Sequence, residues 1–411
     1  MQFYTIITII ISISAVFAYI NFRFIKLPVT IGIMVLSLAF SVLLVTIGHY
    51  TPSISNNLIS IIHSIDFHEL LMNMMLSFLL FAGAIHINLA DLKKELAPVI
   101  ILASIGILIS TFIIGAIVYY LFIAFNNPID FLYCLLFGAL ISPTDPIAVL
   151  GILKKAGIAK SMELKISGES LFNDGMAVVV FLAIYQLASP SAGAVSTGDI
   201  VELFLIETGG GLLYGLLLGY VGFWLLRSID SYQVEVLITI AIVMGGYSLA
   251  HTLHVSGPLA MVVAGIITGN KGKALAMSDV TRDYLGKFWE LIDDILNTIL
   301  FLLIGFEVLV IKVNATILLI GGIVIVVVLF ARWVSVAFPI MLLKLRMKFE
   351  KNAIAILTWG GLRGGISVAL ALSLPSEMYR NEFVTITYIV VIFSIIVQGL
   401  TIGKVSKKLM N

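Results

Sequence analysis

The chain has one cysteine in 411 residues, Cys134, so no disulfide can close within a single copy and packing must hold the fold together. Charge is as scarce: Asp, Glu, Lys and Arg make up 11% of the residues, where a soluble domain carries about 25%. Lys and Arg total 24 against 23 Asp and Glu, a net charge of +1, so the basic face that nucleic-acid binding needs is missing. No HExxH pair occurs, and the six histidines fall mostly in loops or at segment ends, which leaves a membrane metalloprotease without ligands. What fills the chain is apolar: 60% of residues are hydrophobic and the mean hydropathy is +1.13. These values exclude a soluble enzyme and point to lipid as the solvent.

A membrane-crossing helix needs about 20 mostly apolar residues. Thirteen segments qualify or come close: 2–20, 27–47, 70–89, 97–123, 131–152, 164–188, 201–227, 235–253, 257–270, 284–310, 316–343, 352–374 and 382–403. They predict an all-α integral membrane protein of about thirteen transmembrane helices. The first segment lacks a basic flank and a small-residue cleavage site, so it reads as a retained helix. With the N-terminus outside, 20 of the 24 Lys and Arg fall in inward loops or the tail, Lys312 and Arg380 fall outside, and Arg332 and Arg363 lie within apolar segments. That asymmetry predicts an N-out, C-in orientation. No loop leaves room for a soluble domain, and the Ser/Gly/Ala-rich stretch 189–198 reads as an outward linker near mid-chain.

Ionisable groups in hydrocarbon are costly and usually face a bundle interior or an aqueous path. Those within the segments are Asp145, Glu169, Asp174, Asp293, Asp294, Glu307, Arg332 and Arg363, with Glu202, Glu207 and Glu290 nearer to segment ends. In the fifth segment, Ser142-Pro143-Thr144-Asp145-Pro146 places two prolines four residues beyond Ala139 and Ser142, whose carbonyls lose their helical donors. Freed carbonyls beside a carboxylate make a cation site; a tolerated proline kink with Asp145 as a cap is the alternative reading. In the twelfth segment, Gly360-Gly361-Leu362-Arg363-Gly364-Gly365 places four glycines around an arginine. Here a second broken helix, its exposed carbonyl end compensated by Arg363, competes with close packing at small residues. The two interruptions occupy matching places in helices one to six and eight to thirteen. This predicts inverted repeats of about 1–188 and 235–408, joined by a linking helix 201–227, with a site where the broken helices cross.

The sixth segment carries Gly168-Glu169-Ser170-Leu171-Phe172-Asn173-Asp174, with Glu169 over Asn173 and Ser170 over Asp174 on adjacent turns. Two acids this close in a low dielectric need a partner. Arg332, alone in the eleventh segment, is the expected partner of Glu169, which leaves Asp174 unpaired and able to hold a proton or a metal ion.

Together, Thr144-Asp145-Pro146, Glu169-Ser170 followed by Asn173-Asp174, and Gly361-Leu362-Arg363-Gly364-Gly365 resemble the motifs of the monovalent cation:proton antiporters, the sodium/proton exchanger branch. The resemblance implies exchange of Na⁺, with Li⁺ or K⁺ also open, for H⁺ across the plasma membrane by alternating access. By resemblance Asp174 carries the ion or the proton, and Na⁺ is held by Asp174, Asp145, Thr144 and Ser170. Glu169 with Arg332 is similar to the family's structural ion pair, and Arg363 to its broken-helix arginine. Asn173 joins Asp174, Asp145, Thr144 and Ser170 in the ion- and proton-binding set that the resemblance implies and, in place of a second acid, resembles the electroneutral form. A homodimer of dimerisation and core domains, no cofactor beyond the transported ions, and the lipid bilayer as environment come with the family. Some relatives carry an acid where this chain has Ala82, so water or another oxygen must serve there. Asp294, Asn297 and Glu307 read as packing or water-binding groups. A potassium/proton exchanger remains the alternative within transport, while a channel has no need of a single competing carboxylate.

Overall fold

The structure, a computed structural model, describes residues 2–48, 67–189, 197–307, 309 and 314–410. The linker expected at 189–198 and Lys312 fall largely or wholly outside these residues. Every regular element among them is helical. In chain order we label α1 (Tyr4–Ile25), α2 (Val29–Gly48), α3 (Phe67–Ile85), α4 (Leu89–Ala124), α5 (Phe131–Ile141), α6 (Ile147–Ala156), α7 (Lys160–Ala188) and α8 (Val201–Arg227). There follow α9 (Tyr232–Thr252), α10 (Gly257–Ile267), α11 (Asp279–Glu307), α12 (Ala315–Leu343), α13 (Ala353–Gly360), α14 (Gly365–Leu372) and α15 (Arg380–Leu409).

Among the described residues nine helices are long and apolar enough to cross a membrane, or ten if α13 and α14, bent by 48°, form one span. The fifth apolar segment is split into α5 and α6, the ninth continues past α10 as a π turn, and the tenth, α11, carries Glu290, Asp293, Asp294 and Glu307. Helix starts follow local chemistry. Asn88 and Asp130 accept backbone N–H groups at the heads of α4 and α5, and Ser256 does so before Pro258 at the head of α10.

The helices pack as two groups. One joins α1, α2 and α3 to α8, α9, α10 and α11; the other joins α4 to α7 with α12 to α15. Each group draws from both halves of the chain. Small residues let backbones approach: a Cβ on Gly138 of α5 would lie 2.3 Å from the Thr111 carbonyl oxygen of α4. The groups meet along α7 and α14, where Leu259 of α10 covers Gly175 of α7.

A polar ladder fixes α7 within its own group. On successive turns, Ser161 bonds Glu350, Lys165 sits between Glu95 at 3.1 Å and Glu350 at 3.0 Å, Glu169 meets Arg332, and Asn173 reaches Thr144. The i, i+4 spacing puts all four on one face. Lys165 was expected in an inward loop with the other basic residues; instead it is buried, with its ammonium also 5.2 Å from the centre of the Phe349 ring. Two carboxylates make that burial tolerable.

Candidate functional site

The backbone leaves the helix at 142–146 because Pro143 and Pro146 have no N–H to donate, and again at 361–364 within the glycine run. The two breaks cross and satisfy each other. Asp145 N–H donates to the Leu362 carbonyl at 2.8 Å, and Arg363 Nη1 donates to the carbonyls of Ser142 at 2.8 Å and Pro143 at 3.0 Å. This corrects the expectation that proline-freed carbonyls would face a cation. Ser142 N–H approaches the Ala139 carbonyl, and the guanidinium of the opposite break takes Ser142 and Pro143.

Glycine is needed where the breaks touch. A Cβ on Gly364 would stand 2.3 Å from Asp145 Oδ2, and one on Gly361 would stand 2.5 Å from Arg332 Nε. A π turn in α15, Ser394–Gln398, supplies the remaining partners. Ser394 Oγ accepts the Arg363 N–H at 2.9 Å and donates to Gln398 Oε1 at 2.8 Å, while Gln398 Nε2 donates to the Trp359 carbonyl at 3.0 Å. Irregular backbone at membrane depth is thus closed by protein groups, as it must be without water.

Beside the crossing, Ser170 Oγ donates to the Thr144 carbonyl at 2.6 Å and Asn173 Nδ2 donates to Thr144 Oγ1 at 2.8 Å. Asp145 Oδ1 accepts the Ile147 N–H at 2.9 Å, at the first turn of α6. Arg332 grips Glu169 through two nitrogens, with Nη2 to Oε2 at 3.0 Å, and both side chains are buried. The same guanidinium closes the end of α13 by donating to the Leu357 carbonyl from Nε at 3.3 Å and Nη2 at 3.2 Å.

A cavity of about 490 Å³ opens beside these groups, lined by Thr144, Asp145, Ser170, Asp174, Gly364 and Ser367 among others. The Asp174 side chain makes no hydrogen bond or ion pair among the described residues, and the residue lines the cavity. Thr144, Asp145, Ser170 and Asp174 are therefore brought to one space. Asn173, expected among the ion-binding residues, is not in the cavity wall and instead holds Thr144; Glu169 pairs with Arg332, and Arg363 lies at the crossing.

Three carboxylates of α11 share the cavity: Glu290, Asp293 and Asp294. For Asp294 a packing role and a place near the ion path were both open; it is exposed and lines this space. Ser367, unassigned by sequence, also lines it, buried and without a hydrogen-bond partner for Oγ among the described residues. Adjacent acids in an apolar helix were the available signal for Asp293; a serine in an apolar run carries none. Ala82 is buried but is not part of the cavity wall, whereas its neighbour Gly83 is. Lys154 and Ile87 also line the cavity.

Two crossed, interrupted helices with an unpaired carboxylate in an adjoining cavity define a membrane carrier of small ions. The transmembrane family of sodium/hydrogen exchangers matches residues 11–408, and the chain belongs to that family. The resemblance read from the motifs is borne out. The Na⁺/H⁺ antiporter NhaP of Pseudomonas aeruginosa is 50% identical, over 97% of this chain and 95% of the relative. The Na⁺/H⁺ antiporter NhaH of Halobacillus aidingensis is 37% identical over 84% of each chain. In fold the chain is similar to the sodium proton antiporter MjNhaP1 of Methanocaldococcus jannaschii at pH 8, with a TM-score of 0.77, 20% identity and complete coverage of both chains.

Proposed function

We propose that this protein is a sodium/proton antiporter that exchanges one Na⁺ for one H⁺ at Asp174 by alternating access. The observation that carries the mechanism is the unengaged Asp174 carboxylate in a cavity beside two crossed helix breaks. The other charges of the crossing already have protein partners: Arg363 on two carbonyls, Asp145 on the α6 N-terminus, Glu169 on Arg332.

Na⁺ approaches through the cavity, where Glu290, Asp293 and Asp294 provide a negative field that raises the local cation concentration. At the end of the path Asp174 supplies the charge, with Asp145, Thr144 and Ser170 as further oxygens. The hydroxyls of Thr144 and Ser170 retain lone pairs after their internal bonds. A proton competes for the same carboxylate. Since either ligand adds one positive charge, exchange at Asp174 is electroneutral, and Asn173, used to hold Thr144, adds no second carboxylate. Only an occupied site crosses at low cost, so coupling follows from competition alone.

A second cavity of about 360 Å³, lined by His68, Tyr185, Glu207, His251, His254 and Ser373, lies beyond the crossing along α7 and α14. Between the cavities the two helix groups touch through Leu259 on Gly175 and a His68 Nδ1 contact to the Ala369 carbonyl at 3.0 Å. Opening that contact while closing the first cavity moves access of Asp174 to the other side.

In this reading thirteen crossings, with the N-terminus out and the C-terminus in, form inverted repeats of about 1–188 and 235–408 around the linking helix 201–227. The first cavity then faces inward. The protein resides in the plasma membrane as a homodimer, an assembly supported by family membership. Proteoliposomes with an imposed pH gradient test the function: Na⁺ should collapse the gradient at a rate unaffected by clamping the membrane potential. Collapse by K⁺ alone would change the selectivity, and no cation-dependent proton movement by folded protein would overturn the reading.

A further inference from the structure

Ion exchange makes no use of a crevice of about 600 Å³ between α12, α13 and α15. Trp333, Ala355, Thr358, Trp359 and Leu409 contribute to its wall, and Lys344 lies at one end. The crevice opens on the perimeter: Trp333 is 48% exposed, and Ala355 and Lys344 are also exposed. Trp333 and Lys344 stand eleven residues apart, about 16 Å along a helix. That length matches one leaflet of a hydrocarbon core about 30 Å thick.

The charge at the Lys344 end is unbalanced. The turn from 344 to 352 carries Lys344, Arg346, Lys348 and Lys351, and the end of α15 carries Lys404, Lys407 and Lys408 next to the wall residues Val405 and Leu409. None of the seven forms an ion pair among the described residues. Glu350, the one acid in the turn, is taken by Lys165 and Ser161. An orienting excess of Lys and Arg requires no apolar slot beside it. A slot of leaflet depth with Lys344 in its wall, and six more unpaired cations in the adjoining turn and helix end, matches an amphiphile with an anionic head.

We infer that this crevice is a binding site for an anionic phospholipid, with its phosphate at Lys344 and one acyl chain lying along Trp333 and Trp359. The chain would rest on α13, whose far end is the helix break at Gly361, so an occupied crevice steadies the element that closes against Asp145. None of the crevice residues is a ligand of the exchanged ion.

Full-length protein in nanodiscs of mixed phosphatidylglycerol and phosphatidylcholine provides the test, read by native mass spectrometry of retained lipid and by melting temperature. Retention of phosphatidylglycerol over phosphatidylcholine is expected at least five-fold above the bulk ratio. Lys344→Gln should reduce that preference about five-fold, the loss of one surface cation near a lipid phosphate. Ala355→Trp, which fills the slot from an exposed position, should remove the retained lipid while the melting temperature in detergent stays within a few degrees of wild type. Equal retention of the two lipids, or retention unchanged in both variants, would overturn the site. Stabilisation by glycerol 3-phosphate equal to that by phosphatidylglycerol would overturn the acyl-chain slot.

Discussion

Asp174 is set apart from the other buried acids by what it lacks. Glu169 has a bidentate arginine and Asp145 a backbone N–H, but the Asp174 carboxylate meets only the cavity. Asp174→Asn keeps the shape and removes the exchangeable charge, so Na⁺-driven proton movement should fall to background in proteoliposomes while yield and melting temperature are retained. Wild-type rates in that variant would falsify the carrier role. Glu169 and Arg332 call for the opposite result. Leaving either charge alone in a buried site costs about 3–5 kcal/mol, so Glu169→Gln or Arg332→Met should lower the melting temperature and the folded yield. The double variant Glu169→Gln/Arg332→Met should recover most of that loss, and a double variant no better than the worse single one would contradict the pairing. At this scale the sequence was legible wherever a charge stood in an apolar run, because hydrocarbon makes such a residue expensive. Ser367 and the burial of Lys165 were not legible, since neither type nor spacing distinguishes them from a packing serine and a loop lysine.

The broken helices depend on contacts that tolerate no side chain. Gly364→Ala would drive a methyl group into Asp145 Oδ2, 2.3 Å away, and should abolish exchange and depress the melting temperature. Gly322→Ala, where a Cβ meets nothing within 4 Å, is the control expected to leave both unchanged. The ladder along α7 has its own pH signature at the end remote from the site. Burial alone would raise the Glu350 carboxyl, but the Ser161 hydroxyl, a backbone amide and Lys165 together hold it below its ordinary 4.5. A carboxylate depressed in the folded state stabilises above its unfolded value and loses that contribution as the pH falls through the folded one. Melting temperatures of wild type and Glu350→Gln should therefore differ at pH 7 and converge below about pH 4.5; a gap that widens on acidification would exclude this account. The positions of both breaks were readable from proline and glycine. Their partners were not: which carbonyls Arg363 takes depends on how two segments more than 200 residues apart cross.

Two helix groups, each drawn from both halves of the chain, meet along α7 and α14 with a cavity on either side of the contact. Exchange requires these cavities to open alternately. Cys134, the one native cysteine, is buried, which makes single introduced cysteines a clean probe. Gly151→Cys in the first cavity and Ser373→Cys in the second should react with membrane-impermeant maleimide from opposite sides. Conditions that accelerate one should slow the other, and parallel changes would argue against alternating access.

Composition by itself determined that the chain lives in lipid, because so few charges and so long a series of apolar runs have no soluble solution. The spacing of its rare polar residues pointed to the place proposed for the ion chemistry, because a polar residue is costly in a bilayer. Only the tertiary structure decided which charges are spent on one another and which is left over. Arg363 was matched to the carbonyls of Ser142 and Pro143, Arg332 to Glu169 and Lys165 to two glutamates, and Asp174 was left unpaired in the wall of the cavity that Asp293 and Asp294 also line. Those pairings are long-range contacts, and their geometry follows from helix packing that no local pattern of residues encodes.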